Sequence, residues 1–140
     1  MTSRQVQPSR PAQPSAKPVT APGVRARKGS DPPLVMVTAY DAPGARIAEE
    51  AGVDIILVGD SVAMVVLGYD DTLQVTVDDM AHHVGAVARG QHRALIVGDL
   101  PWMSYHVSVE ETVRNAAALV RAGGSLPPPR TRSPTPARAR

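Results

Sequence analysis

The chain has 140 residues, about one domain, of which 43% are hydrophobic and 20% charged, with no cysteine. Lack of cysteine excludes a disulfide framework, a thiolate zinc site and a cysteine nucleophile. No apolar run approaches the ~18 residues of a transmembrane helix, and residues 1–30 hold no apolar segment of the secretory-signal kind, so a soluble cytoplasmic protein is expected.

The net charge of +2 hides an uneven distribution. Residues 1–30 carry six Lys and Arg and no acid, and residues 125–140 carry four Arg and no acid. The stretch 31–124 has five basic residues against all thirteen acids. Twelve of the fourteen prolines fall in 1–33 and 127–140. Both ends are therefore expected to be disordered tails, 1–23 and 125–140, too poor in apolar surface to offset chain entropy. They lack aromatic residues for base stacking and any groove-entering motif, so they read as solvated tails rather than nucleic-acid binders. The N-terminal prolines also oppose the amphipathic helix of a transit peptide.

Residues 34–38, 54–58 and 94–98 are short, β-branched apolar runs, as in strands buried on both faces of a parallel sheet. Asp41 is placed to cap a first helix with Pro43 in its first turn, and Gly52 to end it. Thr76 and Asp79 form a capping box for a second helix, with Met80, Val84, Val87 and Ala88 on one face and Gly90 as its stop. Ser108 and Glu111 repeat the box for a third. Its expected inner face is Val109, Val113, Ala116, Ala117 and Val120, and Gly123 follows. This order of strands and helices predicts right-handed βαβ units, in a doubly wound sheet or a (β/α)8 barrel. Three strands are too few to complete either, because a barrel takes about 250 residues.

In both architectures chemistry sits at the carboxyl ends of the strands. Here those ends read Thr38-Ala39-Tyr40-Asp41, Gly59-Asp60-Ser61 and Gly98-Asp99-Leu100-Pro101. Asp60 and Asp99 are expected on one rim. Two carboxylates suit Mg²⁺, which fills its other positions with water and substrate oxygens. Ser61 is placed to donate to a bound carboxylate. From spacing alone, a cap or turn role is the commoner one for a strand-end aspartate. The adjacent His82 and His83 face different ways on a helix, and His92 and His106 stand alone, so all four read as surface or packing residues. Trp102 and Tyr105 are open to a role as pocket wall or local packing. No glycine-rich nucleotide fingerprint is present.

The runs Thr38–Asp41, Ala51–Asp54, Leu57–Ser61, Leu67–Asp70 and Gly98–Pro101, with Ser104-Tyr105, resemble the ketopantoate hydroxymethyltransferase family from about Val24 to Gly123. The resemblance implies that 24–124 is the first three β/α units of a (β/α)8 TIM barrel, within a family that forms homo-oligomers, decamers in many bacteria. It implies transfer of a hydroxymethyl group from 5,10-methylenetetrahydrofolate to 3-methyl-2-oxobutanoate, giving 2-dehydropantoate for pantothenate synthesis. Asp60 and Asp99 match the family's Mg²⁺ ligands, and Asp60, Ser61 and Asp99 its keto-acid contacts. Trp102 stands where a Phe is usual and Met103 where a small residue is usual. Barrels of the phosphoenolpyruvate mutase and isocitrate lyase type are the enzymatic alternative, disfavoured by Gly68-Tyr69-Asp70 and Ser104-Tyr105.

After Gly123 the family continues with a Lys-Leu-Glu-Gly-Gly strand and, later, a glutamate general base. Here the sequence turns to Pro, Arg, Ala, Ser and Thr, the composition of GC-rich coding sequence read out of frame. The expectation is a truncated or frameshifted product with no catalytic base, inactive as it stands. Its functional alternative is a non-catalytic fragment acting in oligomerisation or interaction. His106 and Glu110 are the first candidates for a replacement base.

Overall fold

A computed structural model describes residues 17–29 and 31–124. In chain order the elements are α1 (Ala21–Ala26), β1 (Met36–Thr38), α2 (Ala42–Glu50), β2 (Ile55–Val58), α3 (Val62–Val65), α4 (Val77–Ala88), β3 (Leu95–Gly98) and α5 (Val109–Ala122). The three strands form one parallel sheet in the order β1-β2-β3. The strand and helix pattern expected from the sequence is present, with the short α3 added inside the stretch read as a long loop.

The caps explain the helix positions. Asp41 accepts the Gly44 N–H at 2.7 Å. Thr76 and Asp79 satisfy each other's backbone N–H groups in a complete capping box. Ser108 accepts from the Glu111 N–H, and Gly123 ends α5 at φ 111°, a left-handed conformation that a side chain would resist.

Register assigns the sheet's two faces, because laterally paired residues in a parallel sheet share a face. Val37, Ile56 and Ile96 align, as do Val58 and Gly98. This face meets the helices: a Cβ on Gly98 would lie 3.0 Å from Val84 and 3.5 Å from Leu119. Ile56, Val58, Met80, Val84, Val87, Ile96 and Leu119 make the buried core there. Met36, Ile55 and Leu95, then Thr38, Leu57 and Val97, share the other face.

Two burial expectations need correction. Only β2 is buried as a central strand should be; all three residues of β1 are exposed, Met36 at 56%. Strand β1 is a sheet edge, with no strand paired to its outer side among the described residues. In α5 the inner face is Ala116 and Leu119, whereas Val109, Val113 and Val120 are exposed, Val109 at 82%. The helix carries two apolar stripes, and the one that packs on α4 and β3 is not the longer one in sequence.

The boundary expected at residue 23 falls inside α1. Thr20 caps α1 through the Gly23 N–H, and Pro22 fits the first turn. The Val19 N–H reaches the Arg93 carbonyl at 2.7 Å, and Arg27 pairs with Asp54 at 2.8 Å. Specific tethers order this stretch despite its composition. The rest of that tail, 1–16, and all of 125–140 lie outside the described residues.

Asp54 anchors the amino-terminal side of the sheet. It accepts from the Val35 N–H at 3.0 Å and from Arg27, with Arg93 3.9 Å away. Burial works to raise its carboxyl, but the Val35 N–H and the two arginines outweigh this and hold it below its ordinary value. A depressed carboxyl adds stability above its unfolded value and loses it as pH falls through the folded value. Asp54→Asn should therefore cost about 1–2 kcal/mol at neutral pH, allowing for the partial exposure of Arg27, and nothing once both proteins are acidified below that value. Urea melts at neutral and acid pH check this; a pH-independent difference would count against the ion pairs.

Glu49 accepts the backbone N–H groups of His92, Arg93 and Ala94, tying the end of α2 to the start of β3. Beside it Gly90 lets α2 and α4 approach closely. A Cβ at Gly90 would overlap the Ala42 carbonyl oxygen and lie 2.8 Å from the Ala42 Cα and the Ala45 Cβ. Because backbone cannot swing aside as a side chain can, Gly90→Ala should destabilise by about 1–3 kcal/mol. Thermal melting checks it, and an unchanged midpoint would contradict the close approach.

Candidate functional site

Parallel strands bring their carboxyl ends to one rim. After β2 the chain passes Gly59, Asp60 and Ser61; after β3 it reaches Asp99; after β1 it reaches Tyr40. The Asp60 backbone N–H donates to Asp99 Oδ2 at 3.3 Å, and the Asp99 N–H donates to the Val58 carbonyl at 3.0 Å. The Tyr40 hydroxyl and Ser61 Oγ are hydrogen-bonded at 2.8 Å. A Cβ on Gly59 would lie 3.0 Å from Ser61 Oγ and 3.5 Å from Asp99 Oδ2. Both oxygens thus border a small space that any side chain at 59 would fill. The three residues singled out from sequence, Asp60, Ser61 and Asp99, stand together.

Their local roles do not use up their chemistry. Ser61 is the residue before α3 but makes no side-chain cap bond. Burial raises the Asp99 carboxyl; the Asp60 N–H opposes this and the Asp60 charge adds to it. A pair of like charges held in this way favours a cation. Two neighbouring carboxylates fit Mg²⁺, which needs only one or two from protein. Among the described residues no group of three or more His, Cys, Asp and Glu surrounds one point, so any further ligands must be water, substrate or other residues.

The loop after Asp99 is fixed by Ser104, whose hydroxyl donates to the Pro101 carbonyl at 2.6 Å, and by Asn115, which donates to the Ser104 carbonyl at 2.7 Å. Met103 sits at φ 65°, a left-handed conformation of about 1–2 kcal/mol strain for a non-glycine residue. Trp102 and Tyr105 are exposed, and Tyr105 stacks on His106 with ring centres 4.1 Å apart. His106 is therefore not isolated.

A separate cavity of about 540 Å³ opens beside β1, α2 and α4. Tyr40, Asp41, His82 and His83 line it, but Asp60, Ser61, Asp99, Trp102 and Tyr105 do not. It is a groove along the uncovered sheet edge, distinct from the aspartate rim. Two residues with specific contacts were not singled out by the sequence. Tyr40 appeared only inside a polar cluster. His83 looked like packing, yet its Nδ1–H donates to the Tyr40 carbonyl at 2.8 Å across 43 positions. Nothing local in the sequence signals that bond.

Residues 18–126 match the ketopantoate hydroxymethyltransferase family. The chain is 58% identical over 98 residues to the 3-methyl-2-oxobutanoate hydroxymethyltransferase of Geobacillus thermodenitrificans, covering 70% of this chain and 35% of that one. It is 67% identical over 90 residues to that of Ignicoccus hospitalis, covering 64% and 34%. The chain thus spans about a third of the length of the curated relatives it matches. Among solved structures, a phosphoenolpyruvate phosphomutase from Streptomyces platensis subsp. rosaceus superposes with a TM-score of 0.59 at 21% identity, covering 72% of this chain and 34% of that one. A 2,3-dimethylmalate lyase of the PEP mutase/isocitrate lyase superfamily superposes at 0.56 and 22% identity, covering 72% and 36%. These two likenesses concern the fold alone. No helix among the described residues is long and apolar enough to cross a membrane. Given the match over most of its length, the chain belongs to the ketopantoate hydroxymethyltransferase family.

Proposed function

We propose that residues 24–124 form the first three β/α units of a (β/α)8 barrel and supply the Mg²⁺ and keto-acid half of a ketopantoate hydroxymethyltransferase site. The substrates would be 3-methyl-2-oxobutanoate and 5,10-methylenetetrahydrofolate, the product 2-dehydropantoate, and the setting a cytoplasmic homo-oligomer. The observation that carries the reading is that Ser61 Oγ and Asp99 Oδ2 meet beside Gly59, with Asp99 held by the Asp60 backbone N–H. Sheet order and the uncovered β1 edge support the barrel.

Asp60 and Asp99 would hold the cation through hard carboxylate oxygens. Mg²⁺, when bound, supplies positive charge opposite the substrate's keto and carboxylate oxygens and so favours loss of the C3 proton. Ser61 donates a hydrogen bond to the substrate carboxylate and fixes its orientation. A side chain at Gly59 would crowd Ser61 Oγ and Asp99 Oδ2. With Asp60 and Asp99 holding the cation, neither would be free to take the C3 proton, and the base would come from another residue.

Equilibrium dialysis with labelled 3-methyl-2-oxobutanoate tests this reading. Retention by the chain should require Mg²⁺ and disappear with a chelator. Retention indifferent to Mg²⁺, or no retention at all, would sink it.

A further inference from the structure

We infer that Tyr40 is a positioning residue, whose hydroxyl aims Ser61 at the carboxylate of the keto acid; the inference rests on the proposed site. Tyr40 is half-buried and packs against the core beside the end of β1. Its hydroxyl lies 2.8 Å from Ser61 Oγ, joining the ends of β1 and β2. The residue is held at its other end too, because a carbonyl oxygen only accepts, so His83 must carry its proton on Nδ1 and donate to Tyr40 from α4. The ring is thus fixed by packing and its backbone by α4.

Direction follows from what each hydroxyl has to do. An anionic carboxylate accepts from the Ser61 hydroxyl. Ser61 Oγ then has lone pairs for the Tyr40 O–H to fill. The chain of donors runs Tyr40 to Ser61 to carboxylate, and each bond polarises the next. Without the Tyr40 hydroxyl the Ser61 rotor has no partner among the described contacts, and its O–H is free to turn from the ligand. Because α3 gives Ser61 no cap bond, Tyr40 is its orienting group.

A double-mutant cycle read by dialysis of labelled 3-methyl-2-oxobutanoate with Mg²⁺ tests this on the full chain. Tyr40→Phe keeps the ring and should weaken binding about 3- to 10-fold, the worth of one neutral hydrogen bond. Ser61→Ala should weaken it by a similar or larger factor. Adding Tyr40→Phe to Ser61→Ala should change binding less than roughly twofold, since the aimed group is already gone. Circular dichroism should be unchanged in every variant, and Mg²⁺ binding without keto acid should be unaffected by Tyr40→Phe. Unchanged binding in Tyr40→Phe overturns the inference and leaves the site standing. So does an equal loss with and without Ser61, which would make Tyr40 an independent structural group. If the unmodified chain retains no keto acid, the site itself fails and the inference falls with it.

Discussion

Asp99→Asn should lower Mg²⁺ affinity on the order of 100-fold while leaving the metal-free fold equally or more stable at neutral pH. Mg²⁺ takes just one or two protein carboxylates, so removing Asp99 removes half of the charge that holds it. The stability half follows from the sign of the carboxyl's displacement. Burial, with the Asp60 charge behind it, raises Asp99, and the Asp60 N–H only partly offsets them. A raised group contributes most in its protonated form, below the unfolded value, and loses that contribution as pH rises through the folded value. At neutral pH the Asp99 charge is therefore a cost to the empty protein, and the neutral amide removes it. The amide oxygen still accepts the Asp60 N–H, so the local geometry survives. Isothermal titration with Mg²⁺ and urea melts in chelator measure the two halves. A variant that loses stability as well as Mg²⁺ would make Asp99 a structural residue. One that keeps Mg²⁺ would move the cation elsewhere.

The parts of this fold written in local chemistry were legible from sequence. Asp41, Thr76 and Ser108 announce helix starts because a side-chain oxygen satisfies a backbone N–H only three residues away. The three apolar runs announce parallel strands, and parallel strands oblige Asp60 and Asp99 to share a rim. What was not legible depends on partners distant in sequence. The composition of residues 1–23 argues for a disordered tail, yet Val19 meets Arg93 and Thr20 caps α1. In α5 the periodicity allows two apolar faces, and only the position of Val84 and the sheet decides that Leu119 turns inward. His83 and Tyr40 are the same case at the site, with a contact set by how α4 lies across the end of β1.

The 140-residue polypeptide by itself should form no detectable 2-dehydropantoate and should self-associate. Deprotonation at C3 needs a base within hydrogen-bond reach of that proton. Asp60 and Asp99 would face the cation and Ser61 the carboxylate, which leaves His106 and Glu110 as the nearest candidates in sequence. Neither fits well, since Glu110 is exposed and paired with Arg114 at 2.9 Å and His106 stacks on Tyr105 in an exposed loop. The physical state follows from uncovered apolar surface. Met36 and Val37 lie open along the β1 edge, and Val109, Val113 and Val120 line the outer side of α5. An open parallel edge with apolar side chains is a template for pairing with another chain, and an unburied helix stripe adds to it. A complementary piece of a longer relative, carrying the elements that its remaining two-thirds supply, should reduce self-association and restore turnover if it covers both surfaces. Light scattering and a product assay with and without that piece check the expectation. Monomeric protein that makes 2-dehydropantoate unaided would overturn it, and His106→Ala and Glu110→Gln would then show which group had taken the base's place.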